Sequence, residues 1–168
     1  GPGSLVKTAQ GTLSIAGCGV CMASPTSLVD YTGSTWIRQG KVTITGNTSL
    51  RNSSGVRVDG VFDVSGTTDG QHDTFEAPGG TSVRRLSGGG QVILGSRNLA
   101  INEGGSDFAG RIEGTGSLIL KAGTTTLCGL NSYGGGTYVK GGARVDVASS
   151  GALSTGAVMM DDGSTLGF

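Results

Sequence analysis

Charge, proline, histidine and long apolar runs are all scarce in this chain, and each scarcity removes a class of function. Only 14% of the 168 residues are charged, and Lys+Arg equals Asp+Glu at 12 each. With no basic stripe to follow a phosphate backbone, a nucleic-acid partner is not expected. A single histidine leaves little for acid–base catalysis, and no Ser–His–Asp set can be placed. There is no Gly-x-Ser-x-Gly elbow, and the glycine-rich segments run between strands without a helix N-terminus to receive phosphate. No stretch approaches the roughly 20 apolar residues of a membrane helix. Three cysteines and one histidine do not supply a second ligand pair for a zinc tetrahedron.

Glycine, by contrast, is abundant at 34 residues, about three times ordinary usage. Disorder does not follow, because Val42-Thr43-Ile44, Val56 to Val64 and Gln91 to Leu94 carry alternating, β-branched apolar faces. The stretch from Leu118 to Val147 shows the pattern best: short apolar runs in alternation with polar residues, separated by glycine clusters. No window carries a helical stripe. Strand and turn alternate at a spacing that suggests one coil after another, with glycine at the corners.

The unit also recurs. Tyr31, Thr35, Trp36, Ile37, Arg38 and Gly40 match Tyr133, Thr137, Tyr138, Val139, Lys140 and Gly142, while Gly11 and Gly17 match Gly123 and Gly129. The first copy carries ten extra residues, 18–27. A self-similar unit of strands and glycine turns predicts a solenoid.

The run from Leu118 to Val139 reads Leu-Ile-Leu-Lys-Ala-Gly, then Thr-x-x-Leu-x-Gly-x-Asn-x-Tyr, then Gly-Gly-Thr-x-Val, and it resembles the passenger-associated repeat of bacterial autotransporters (type V secretion). Leu86-Ser87-Gly88-Gly89-Gly90-Gln91-Val92-Ile93-Leu94-Gly95 and the segment from Phe108 to Leu118 are similar to further coils of that family. So are Gly151 to Val158 and Asp162 to Phe168. The resemblance implies an all-β, right-handed parallel β-helix of about seven to eight coils. It would form a single domain over 5–168, with loop insertions near 18–27 and 67–80. Gly1-Pro2-Gly3-Ser4 reads as a remnant of tag removal, and the pattern runs to Phe168 without a capping segment. A fragment is therefore expected, and the resemblance implies that its parent carries a C-terminal outer-membrane barrel.

Several residues invite a more specific reading. If the protein is exported, an oxidising compartment favours a disulfide between Cys18 and Cys21; free thiols, half of a metal site or a redox pair are the other readings. Cys128 aligns with Ala16 and is expected to be a small buried residue. Trp36 has the opposite strand parity from Ile37, so it faces outward if Ile37 faces the core, as does Tyr138 in the second copy. These two side chains are either a ligand-stacking surface or packing on neighbouring coils. Asp69, His72, Asp73 and Glu76 sit in the most polar stretch, where the spacing fits no calcium or zinc template. His72 and Asp73 are instead candidates for surface contact in a loop. Arg51, Arg57, Asp59 and Asp63 are close in sequence, as in β-helical polysaccharide enzymes, but no site is defined by them.

The resemblance thus implies a surface-exposed passenger segment that adheres to a host-cell or matrix protein or glycan, or to other bacteria through self-association. The alternatives are a structural stalk and an enzyme acting on polysaccharide. No cofactor, metal or catalytic residue is expected.

Overall fold

In the computed structural model, residues 1–16, 31–68 and 79–168 are described. They contain strands and no helix, and every strand pairing is parallel. The chain winds into a parallel β-solenoid of three faces. The first face stacks Leu5–Lys7, Thr35–Ile37, Val56–Val58 and Leu86–Ser87. A bridge from Gly88 to Phe108 continues it into Ser106–Phe108, Gly123–Leu127, Ala143–Val147 and Thr165–Gly167. The second face stacks Thr12–Ala16, Lys41–Gly46, Val61–Thr67, Gln91–Gly95, Arg111–Gly114 and Ser132–Tyr133. Gly80–Val83, Asn98–Ile101, Leu118–Leu120, Thr137–Val139 and Val158–Met160 form the third, with Leu50 bridged to Val83 at its start.

The solenoid has about six turns rather than seven to eight. Ordinary turns span about 20 residues, as between Val42 and Phe62 or between Val92 and Ile112. Two turns span about 30, from Leu13 to Val42 and from Phe62 to Val92, and these contain the two insertions. The second insertion is shorter than expected at its ends, because Val61–Thr67 includes Thr67 and Gly80 already begins the next strand.

Alternation along each strand sends one set of side chains inward, and parallel in-register pairing stacks that set rung upon rung. Val42, Phe62, Val92 and Ile112 form one fully buried column. Leu99 over Leu118 and Ile101 over Leu120 over Val139 form others on the third face. Each rung buries its apolar side chains only against its neighbours, so stability accumulates interface by interface. Within the core, Tyr133 shares a hydrogen bond of 2.6 Å between its phenol and the Thr137 hydroxyl, and Tyr31 makes the same contact with Thr35. Burial pushes both phenols up, partly offset by the threonine bond.

The shared Tyr–Thr pair confirms the internal repeat locally but reveals a rotation. Thr35–Ile37 leads from the first face to Lys41–Gly46 on the second, whereas Thr137–Val139 leads from the third face to Ala143–Val147 on the first. The repeated unit is a corner, and it is used at two different corners of the prism.

The corner between the first and second faces is built on a stack of glycines. Gly11, Gly40, Gly60, Gly90 and Gly110 each immediately precede a strand of the second face, and Gly129 continues the stack. A Cβ on Gly60 would meet the Gly40 oxygen at 2.5 Å, one on Gly90 the Gly60 oxygen at 2.2 Å, and one on Gly110 the Gly90 oxygen at 2.0 Å. Gly89 is one residue away, yet a Cβ there meets nothing within 4 Å. Gly90→Ala should therefore cost about 1–3 kcal/mol, as forced overpacking does. Gly89→Ala should stay within about 0.5 kcal/mol of the parent chain. Urea unfolding of the two variants measures the difference; equal losses would show that the glycine stack does not set the corner.

Candidate surface site at the glycine corner

The turns at this corner shorten along the rod. Thr8 to Gly11 and Arg38 to Gly40 bridge the first two rungs, while Asp59-Gly60, Gly89-Gly90 and Ala109-Gly110 suffice for the next three. Arg38 opens the second turn, two residues beyond Trp36. Ile37 is fully buried, so Trp36 projects from the outer surface of the first face. Its register neighbours are Val6 on one side and Arg57 on the other.

Trp36 is held from several directions. Its indole Nε1 donates to Asp59 Oδ2 at 2.7 Å, and the Arg57 Nε donates to the same oxygen at 3.0 Å. The guanidinium carbons of Arg38 and Arg57 lie 4.6 and 4.9 Å from the ring centroid, within cation–π range. The Trp36 bond, with help from Arg57 and the Gly89 amide, holds the Asp59 carboxyl below its usual range despite some desolvation. The indole is thus a support for two arginines.

Asp63 belongs to a separate arrangement on the second face. Burial pushes its carboxyl up, but the Lys41 ammonium and the Ser65 hydroxyl and amide outweigh that and hold it low. The four residues Arg51, Arg57, Asp59 and Asp63 are therefore not gathered into one group. Asp59 is compensated by Arg57 and Trp36, and Asp63 by Lys41 and Ser65.

Tyr138 does not join Trp36. It lies on the third face, in register with Ile119 and Met159, and packs on the small apolar patch of Ala100 and Ile119. Because the repeat is rotated by one face, residues that align in sequence are carried to different sides of the rod. Cys128 is half-buried and lies just beyond Gly123–Leu127, outside any strand, so it is not the buried strand residue the alignment suggests. Cys18, Cys21, His72 and Asp73 fall in residues 17–30 and 69–78, outside the described residues. Among the described residues, no three His, Cys, Asp or Glu side chains gather where they could hold a metal ion.

Sequence reading missed Arg38, Gln39, Gln91 and Arg111 as neighbours. They line one groove with Gln10, Lys41 and Asp59, although its lining runs from Gln10 to Leu130 along the chain. A signal was available: each precedes or follows the glycine that closes a corner. Comparison of the chain with protein-family models, curated proteins and solved structures finds no match.

Trp36 is the sole tryptophan, so its emission reports on Asp59. Because Asp59 ionisation is favoured by the folded contacts, the emission change on acidification should have its midpoint below the ordinary aspartate value of about 3.9. Asp59→Asn should abolish that step. A midpoint at or above the ordinary value, or a step retained in Asp59→Asn, would contradict the Trp36–Asp59 pairing.

Proposed function

We propose that this chain is a segment of the surface-exposed passenger of a bacterial autotransporter and that it acts in adhesion. The observation that supports this reading best is the stacked exterior. Parallel in-register rungs repeat outward-facing polar side chains every ~4.8 Å along a rod with a continuous core. Such a surface suits multivalent weak contact with an extended or repetitive partner, in which affinity comes from the number of simultaneous contacts. The passenger-like motifs from Leu86 to Gly95 and from Leu118 to Val139 support the reading of such a rod as exposed on a bacterial surface.

The partner on this reading is a host-cell or matrix protein or glycan, or a second bacterium. The stalk alternative makes the same rod a spacer. Plate binding of the purified chain to host cells, matrix proteins and glycans, with bacterial aggregation in parallel, separates the two. Saturable adhesion to at least one surface is expected. Absence of binding on every surface, with the rod folded, would overturn adhesion in favour of the spacer.

A further inference from the structure

The glycine corner is concave. A groove with a volume of about 1020 Å³ runs along it across five rungs, from Gly11 to Gly110. Much of its floor is bare backbone, because a Cβ on Gly60, Gly90 or Gly110 would meet the carbonyl oxygen of the rung before. The polar groups of that floor are already used rung to rung: the amides of Lys41, Val61, Gln91 and Arg111 donate to the carbonyls of Gly11, Gly40, Gly60 and Gly90. The floor therefore offers no free strand edge to which a peptide could add, and few apolar side chains line it for peptide anchors. What the rims offer is planar polar groups, the amides of Gln10, Gln39 and Gln91 and the guanidinium groups of Arg38 and Arg111.

Charge along the groove is unevenly compensated. Lys41 is paired with Asp63, Arg111 with Glu113 at 3.3 Å, and Asp59 with Arg57 at 3.0 Å. Arg38 has no carboxylate partner among the described residues; it lies over Trp36. A guanidinium stacked on an indole keeps its N–H donors in its own plane, where a carboxylate or sulfate can meet two of them at once.

We propose that this groove binds an extended acidic polysaccharide, the sugar chain lying along the glycine floor and an anionic group held by Arg38. The proposal rests on the adhesive reading and names its ligand chemistry. A flat floor accommodates pyranose rings, amides on both rims pair with hydroxyls, and Arg38, which has no carboxylate partner among the described residues, selects acidic sugars. Trp36 and Asp59 are positioning residues. Asp59 and Arg57 fix the indole, and the indole fixes Arg38. Each contact is exposed and screened by salt, so useful affinity requires several sugars to engage successive rungs.

The test uses the whole chain with four labelled probes: oligogalacturonate, heparin oligosaccharide, a neutral maltooligosaccharide and poly-L-glutamate. Fluorescence polarisation should show binding to at least one acidic oligosaccharide, weakening as salt rises, with neither the neutral sugar nor poly-L-glutamate bound. The two acidic probes distinguish a carboxylate from a sulfate as the recognised group. Arg38→Ala should weaken binding about tenfold, the loss of one charge-assisted contact. Gly89→Tyr should weaken it at least as much by laying a ring into the groove, and its urea midpoint should be unchanged because the added Cβ meets no atom. Arg144→Ala, whose Arg144–Asp146 pair lies outside the groove, should bind like the parent chain.

Equal binding of the neutral sugar, preferential binding of poly-L-glutamate, or full affinity in both Arg38→Ala and Gly89→Tyr would overturn the proposal. Adhesion to cells by a chain that binds neither acidic oligosaccharide would overturn the groove and leave adhesion standing. Oligosaccharide binding by a chain that adheres to no cell would do the reverse.

Discussion

At the corner between the first two faces, the carbonyl oxygen of one glycine occupies the space that the next rung's Cβ would need. Gly60, Gly90, Gly110 and Gly129 each face the oxygen of the glycine one rung earlier at 1.7 to 2.5 Å from an ideal Cβ position. This close approach keeps the rungs in register, since the carbonyls of Gly40, Gly60 and Gly90 also accept the amides that open the next strands. The apolar columns inside stack in the same register. The close approach also leaves Gly60, Gly90 and Gly110 without room for side chains, and the bare stretches of the groove floor are a direct consequence.

The exterior shows how a nearly neutral chain manages its charges on stacked parallel strands. Residues two apart on a strand project to the same side, and the chain uses that spacing to pair Arg111 with Glu113 and Arg144 with Asp146. Arg57 and Asp59 do the same at the end of a strand. Such pairs are exposed and individually weak. On adjacent rungs the register neighbours of Glu113, Arg144 and Asp146 are uncharged, so no like charges oppose in-register pairing there. Arg38 stands apart because it lies over an indole instead of beside a carboxylate.

The two copies of the Tyr-x-x-x-Thr unit show what a short repeat encodes. A buried phenol bonded to a threonine hydroxyl, a three-residue strand and a glycine turn make a corner that any pair of adjacent faces can use. The two insertions add about ten residues each to their turns, and the equivalent unit later begins on another face. Trp36 and Tyr138 therefore serve different surroundings, one supporting arginines and the other covering an apolar patch.

Much of the architecture was legible in the residues themselves. The alternation in Lys41–Gly46 and Gln91–Gly95, the β-branched inward positions and the glycines before each strand specify parallel coils, because side-chain parity and backbone freedom are local properties. The outward placement of Trp36 follows from the same parity. The number of turns was overestimated, because composition does not reveal how many residues leave the coil between Leu13 and Val42 or between Phe62 and Val92. The partners of Trp36, the separation of Asp59 from Asp63 and the groove along Gly11, Gly40, Gly60, Gly90 and Gly110 were decided only by the winding. Their members lie 20 to 30 residues apart for each turn, and only the pitch and rotation of the coil determine which of them meet.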